Sequence, residues 1–402
     1  MRFLAFGLSL TLAVSAANAA DWRQFRGSDT TGIAEGKAPP TSWENGDNIA
    51  WKRELPGRGL STPIVVGDKV FVTACTGYLQ DRLHVLCFDD KSGDLLWERQ
   101  FWALGRSTGH PKMSNATPTP ASDGQRVFAF YSSNDVICLD LDGNLQWFRA
   151  LTWDHPNASN SLGMSSSPIV VGDTLVVQFE NDSDSLATGL NVATGESRWT
   201  SPRPKKANWT SPVVLPGKTR ADDLALLQSS AGLAAVKPLT GEVVWQYTDG
   251  ASTIPSSVVH HGLVYIPSNG ITAIRPPVDS ASVEQLWRGE KLRPGTGSPT
   301  VYRDKIFVIN SAGVLICASL ENGEVAWQTR VEGPFSATPV AAGDNLYLFN
   351  ERGLGQVVSI AGEKGEVVGK GDLGETILCT PAVANGAIYT RSDSHLWKIA
   401  AP

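Results

Sequence analysis

The sequence predicts an all-β fold, an eight-bladed β-propeller of four-stranded antiparallel blades, and three observations carry that prediction. A Ser/Thr-Pro step followed by small or β-branched residues recurs eight times, keyed on Pro63, Pro118, Pro168, Pro212, Ser257, Pro299, Pro339 and Pro381. Successive keys lie 40–55 residues apart, the length of one four-stranded blade. An eleven-residue ending, with Gly seventh and Trp last, closes four copies: Cys87 to Trp97, Gly189 to Trp199, Ala235 to Trp245 and Cys317 to Trp327. Finally, the chain ends one strand short, while a spare strand with its own Trp stands ahead of the first copy.

Taken in order, the chain opens with Met1-Arg2, an apolar run from Phe3 to Ala17, and the small-x-small step Ala17-Asn18-Ala19. That pattern is a signal peptide over residues 1–19, and the run falls short of the roughly 20 residues a bilayer span needs. The sequence therefore predicts a periplasmic or secreted protein with no transmembrane segment. No Cys precedes Cys75, so no lipid anchor is expected. Residues 20–48 form an N-terminal extension and residues 49–402 the propeller. The strand Ile49 to Leu55, carrying Trp51, is expected to complete the last blade and close the ring, leaving no open seam and a monomer.

Within each blade, Gly67-Asp68, Gly172-Asp173, Gly343-Asp344 and Asn385-Gly386 suit tight hairpins between the first and second strands. The terminal Trp residues are read as structural: Trp51, Trp97, Trp147, Trp199, Trp245, Trp287 and Trp327. Each indole is expected to dock between neighbouring blades, worth at most about 4–6 kcal/mol from its buried area. Three copies depart from the pattern: the fifth stretches its turn from about Arg275 to Gln285 before Trp287. The second shortens the turn through Asp142-Gly143, and the seventh places Gly369 where Trp belongs. The seventh blade is therefore expected to hold the softest interface, with Trp397 as the candidate filler.

Composition narrows the function classes. Asp and Glu number 40 against 34 Lys and Arg, a net charge of −6, which lacks the electrostatic footprint of a nucleic-acid binder. Five Cys form no C-x-x-C pair. Cys87, Cys138 and Cys317 share one repeat position, which reads as a small core residue; a Cys75–Cys87 bridge stays open. The six His show no metal-helix spacing, and no nucleophile elbow or phosphate loop is present.

The pattern small-x-Asp-x-x-Thr-Gly-x-x-x-Trp, with Ser/Thr-Pro opening each blade, resembles the tryptophan-docking repeat of quinoprotein-dehydrogenase-like propellers. The chain is most similar to the short, exported PQQ-like repeat proteins of bacteria, whose typical opening Asp21-Trp22-Arg23-Gln24-Phe25-Arg26-Gly27 resembles. Relatives with enzymatic activity, as the resemblance implies, hold pyrroloquinoline quinone (PQQ) between a Trp floor and a vicinal disulfide, beside calcium and an Asp base. This sequence has no Cys-Cys pair, and no catalytic, cofactor or metal residues are assigned. The reading is a non-catalytic exported propeller, a binding or assembly platform in the bacterial envelope with a protein or small-molecule partner. The alternative is a PQQ- and calcium-dependent dehydrogenase oxidising an alcohol or sugar. Binding is expected at the mouth of the central channel, where the blade-to-blade connectors carry Arg58, His110, Lys112, Asn115, Met164, Trp209, Arg293 and Phe335.

Overall fold

A computed structural model describes residues 21–106, 109–158, 162–277 and 282–402; the signal-peptide reading lies outside them. Eight sheets form the ring. Blade 1 runs Ile64–Val66, Lys69–Thr76, Arg82–Asp89 and Leu95–Trp102 from the channel outward. Blades 2 to 7 repeat that order. In blade 8, Ala382–Ala384, Ala387–Arg391 and His395–Ala400 are completed by Ile49–Glu54, which pairs antiparallel with the third strand, Lys52 opposite Trp397. The N-terminal strand closes the ring. Among the described residues no helix is long and apolar enough to cross a membrane.

One device repeats in every blade. The ladder between third and fourth strands slips by one residue just before the Trp position, between Cys87 and Phe88 in blade 1 and between Cys317 and Ala318 in blade 6. Such a bulge kinks the strand and re-aims the next side chain. It swings each indole sideways onto the following blade. There the ring lies on the turn glycine, which adopts a positive φ of 75° at Gly93 and 72° at Gly195. A Cβ at Gly195 would sit 2.6 Å from the Trp147 ring. The indole N–H groups of Trp51, Trp97, Trp147, Trp199 and Trp287 donate to the carbonyls of Asp90, Leu141, Val192, Pro238 and Leu320 at 2.7–3.1 Å. Trp327 covers Gly365 of blade 7, and Trp245 is buried with Val259, Val264 and Ile274 of blade 5.

The docked ring also explains the repeated cysteines. Directly across the ladder from each Trp in blades 1 to 6 stand Cys87, Cys138, Gly189, Ala235, Ala273 and Cys317, all small. All five Cys are free and buried, so the Cys75–Cys87 bridge does not form. Burial pushes the Cys87 and Cys138 thiols up to about 12 and Cys317 to about 11. Because the thiolate is the nucleophile, the folded protein is expected to take up no iodoacetamide at pH 8 and five equivalents in denaturant. Mass spectrometry checks this, and rapid native labelling of Cys138 would contradict the packing.

The seventh blade corrects an expectation. Gly369 does lack a ring, and its partner across the ladder is the larger Val357. The missing ring comes from the N-terminal extension and not from Trp397. Trp43, fully buried, stacks on Phe349 with centroids 5.4 Å apart and abuts Gly355 and Gly371, while the Thr41 carbonyl fills the space over Gly369. Trp397 packs against Lys52 and His395 of blade 8. Trp43→Ala is therefore expected to speed amide exchange over residues 354–372 and leave 314–330 unchanged. Equal exchange in both segments of the variant would refute this compensation.

The extension also crosses the channel. Trp22 exchanges two backbone hydrogen bonds with Val65 of blade 1, and the Arg23 carbonyl accepts from Ser122 of blade 2. The Gln24 amide oxygen accepts from Val170 of blade 3, and the Thr30 hydroxyl from Val214 of blade 4. Arg26 Nη2 donates to the Ser257 carbonyl of blade 5 at 2.6 Å. Ile33–Ala34 then adds a parallel fifth strand to blade 7, opposite Ala341 and Ala342. Inner strands of a ring leave ladder groups facing the axis without partners; this plug satisfies several of them and shuts the channel at one end.

Candidate functional site: the channel funnel

At its other end the channel opens as a funnel of about 400 Å³ on the connector face. Its wall is built by the Ser/Thr of the repeated Ser/Thr-Pro step. The backbone N–H of Thr62 donates to the Thr119 hydroxyl, Thr119 to Ser167, Ser167 to Ser211, and Ser211 to Ser256, at 2.9–3.0 Å. Ser256 continues to Ser298, Ser298 to Thr338, and Thr338 to Thr380. The Thr62 hydroxyl then donates to the Thr380 carbonyl at 2.8 Å and closes the circle. Each residue thus links its blade to the next; in seven blades the following Pro needs no acceptor where the inner strand begins, and in blade 5 the Ser257 N–H donates to Gln228 Oε1. In blade 2 the belt residue is Thr119, so the blade opens at Pro120 and not at Pro118. The first of two Thr-Pro steps belongs to the connector.

Above the belt the wall turns apolar, through Leu60, Met113, Leu162, Trp209, Ile254 and Leu378; Phe25 of the plug lies at the floor. Of the eight connector residues singled out by sequence, His110, Lys112 and Trp209 line the funnel. The Trp209 indole donates to the Gly163 carbonyl at 2.9 Å, and Lys112 pairs with Glu351 at 2.7 Å. Arg58 holds the Pro111 carbonyl and sits 3.4 Å from Asp393, bracing one connector against another. Asn115 is buried, bridging Gln80 and Ser133, while Met164 and Phe335 are core residues under the connectors. Arg293 stands in a separate polar crevice with Asp249 and Ser252. The structure therefore gathers three of the eight in the funnel and places five outside it.

Sequence reasoning missed the belt and the plug as site components. No hydrophobic periodicity marked the plug in the sequence: beyond the Trp22 bridge to Val65 it is a run of turns, with Arg26 at a positive φ of 62°, and Gln24 and Arg26 are polar residues that it buries.

The funnel does not fit a PQQ–calcium centre. Its floor is Phe and not Trp, its lining holds no Asp or Glu, and all cysteines are unpaired. Among the described residues no three His, Cys, Asp or Glu side chains converge as a metal site. Calcium needs several oxygen ligands, mostly carboxylate.

The family model described as outer membrane protein assembly factor BamB matches residues 27–177, 159–274 and 268–368, most of the ring. The chain belongs to the BamB family. Among curated BamB relatives, the protein of Burkholderia pseudomallei is 25% identical over 294 residues, 72% of this chain and 59% of its own length. That of Moranella endobia is 22% identical over 309 residues, 74% of this chain and 71% of its own. The chain thus spans under two thirds of the Burkholderia BamB. The crystal structure of BamB from Moraxella catarrhalis superposes with a TM-score of 0.64 at 15% identity, covering 87% of this chain and 96% of that one. Quinohemoprotein alcohol dehydrogenase from Comamonas testosteroni gives 0.70 at 13% identity, covering 97% and 82%. Likeness at these identities is one of fold, shared by BamB proteins and dehydrogenases alike.

Proposed function

We propose that this chain is a non-catalytic assembly factor in the periplasm of a bacterial envelope, offering its connector face to a protein partner. Family membership supports the class, since the matching relatives are named outer membrane protein assembly factors. The observation that carries the surface is apolar exposure on that face. Tyr78 is 99% and Leu79 67% exposed at the tip of the hairpin after Thr76, and Leu162 and Ile254 stand half exposed at the funnel rim. Gln80 of the same hairpin bonds Asn115 in the neighbouring connector, which places the tip on the funnel side. Clustered exposed apolar groups mark interaction surfaces, and aromatic residues lead the anchors of such surfaces.

The test is made in the source bacterium. Deleting the gene is expected to lower the folded fraction of newly made outer-membrane protein, and a Tyr78→Asp/Leu79→Asp chain, folded by circular dichroism, is expected to restore it only weakly. Full restoration would remove this face from the role. Purified protein supplied with PQQ and calcium is expected to reduce no dye with alcohols or aldoses; dye reduction would overturn the non-catalytic reading.

A further inference from the structure

We propose that the funnel is a binding site for a small amphiphilic carboxylate, an acid group joined to an apolar alkyl or aryl body. The chemistry of the wall carries this. The hydroxyls of Ser211, Ser256, Ser298 and Thr338 each accept a backbone N–H from the preceding blade, but among the described residues no acceptor takes their own protons. A hydroxyl offers one donor besides its acceptor sites, so the belt presents O–H donors to the lumen. Among the described residues no Asp or Glu lines the funnel to compete for them. Glu351 is already engaged by the funnel residues Lys112 and Ser336, and Asp393 by Arg58.

Charge points the same way. Arg26, beside the floor residue Phe25, is 1% exposed, and its guanidinium lies 5.7 Å from the Phe25 ring. Its guanidinium makes one hydrogen bond, to the Ser257 carbonyl next to belt residue Ser256; among the described residues Nε and Nη1 have no partner and no carboxylate pairs with it. Burial lowers its pKa only to about 10, so it remains a cation at neutral pH. An unpaired buried charge is costly and attracts an anion. Arg26 does not itself line the funnel but lies next to its floor residue Phe25; above the donor-rich belt stand Leu60, Met113, Leu162, Ile254 and Leu378, a wall suited to hydrocarbon. A volume of about 400 Å³ falls in the range that takes a single small ligand. An acid group at the belt and an apolar body at the rim satisfy both halves.

The inference is independent of the assembly role. Titration calorimetry on the whole protein, with decanoate below its micellar concentration, is expected to show one site. Decanol, with the same body and no charge, is expected to bind at least tenfold more weakly, about 1.4 kcal/mol. Leu162→Asp and Ile254→Asp alter exposed rim positions and are expected to weaken decanoate binding at least tenfold, whereas Leu239→Asp, exposed away from the funnel, leaves it unchanged. A short peptide ending in leucine is expected to bind no better with a free than with an amidated terminus. Equal affinity for decanol would overturn the carboxylate assignment. Indifference to both rim variants would overturn the location, and preference for the free peptide would move the acid from a small molecule to a chain end. Absence of decanoate binding would overturn the proposal while leaving the complementation experiment untouched.

Discussion

Trp147→Ala is expected to destabilise the protein by about 3–5 kcal/mol, the usual cost of removing a large buried aromatic side chain. The ring is 8% exposed, donates to the Val192 carbonyl at 3.0 Å and covers Gly195 of the next blade. Three losses combine: the buried area, the interblade hydrogen bond, and the contact that lets Gly195 close its turn. Trp245→Ala, at 4% exposure, is expected to behave alike. Gly195→Ala attacks the same interface from the other side. Its added methyl meets the indole and must adopt a φ of 72°, unfavourable for alanine. Urea denaturation followed by fluorescence and circular dichroism measures all three. An unchanged midpoint for Trp147→Ala would show that docking is not what holds adjacent blades together.

A chain beginning at residue 56 is expected to lose the monomeric folded state altogether. It lacks the closing strand Ile49–Glu54, the plug, and Trp43 over blade 7. The third strand of blade 8 would then expose an unpaired edge, a template for association with other chains. Deleting only residues 21–34 separates the contributions. The ring would remain closed by residues 49–54 and the chain monomeric, but less stable, with the channel open at both ends. Light scattering and thermal unfolding of the two truncations decide the matter. A stable monomer from the longer deletion would mean that ring closure is not needed, and aggregation from the shorter one would transfer that role to the plug.

Blade count, strand order and closure were legible because they are local and repeated. A Ser/Thr-Pro step, a hairpin Gly and a terminal Trp are each short-range signals, and their period of about 45 residues multiplies a weak pattern into a strong one. The docking role of Trp51, Trp97, Trp147, Trp199, Trp245, Trp287 and Trp327 followed from the same recurrence. Even the small residue facing each Trp was visible, as the shared position of Cys87, Cys138 and Cys317. The candidate site was legible only in outline. His110, Lys112 and Trp209 reach the funnel, while Asn115, Met164 and Phe335 turn inward, because connector residues carry no periodicity that says which way they face.

What the sequence determined by itself is therefore the ring: its eight blades, its tryptophan docks and the N-terminal strand that closes it. The tertiary structure alone decided what fills the ring's irregular places. Trp43 covering blade 7, Thr119 as the belt residue of blade 2, and the plug bonding to six blades all join residues far apart in the chain. Arg26 and Ser257 lie 231 positions apart, yet they meet at 2.6 Å. The physical reason is that repeats fix contacts between equivalent positions of neighbouring blades, whereas a non-repeated segment takes whatever unpaired groups and vacant volume the closed ring leaves, and those exist only once it has closed.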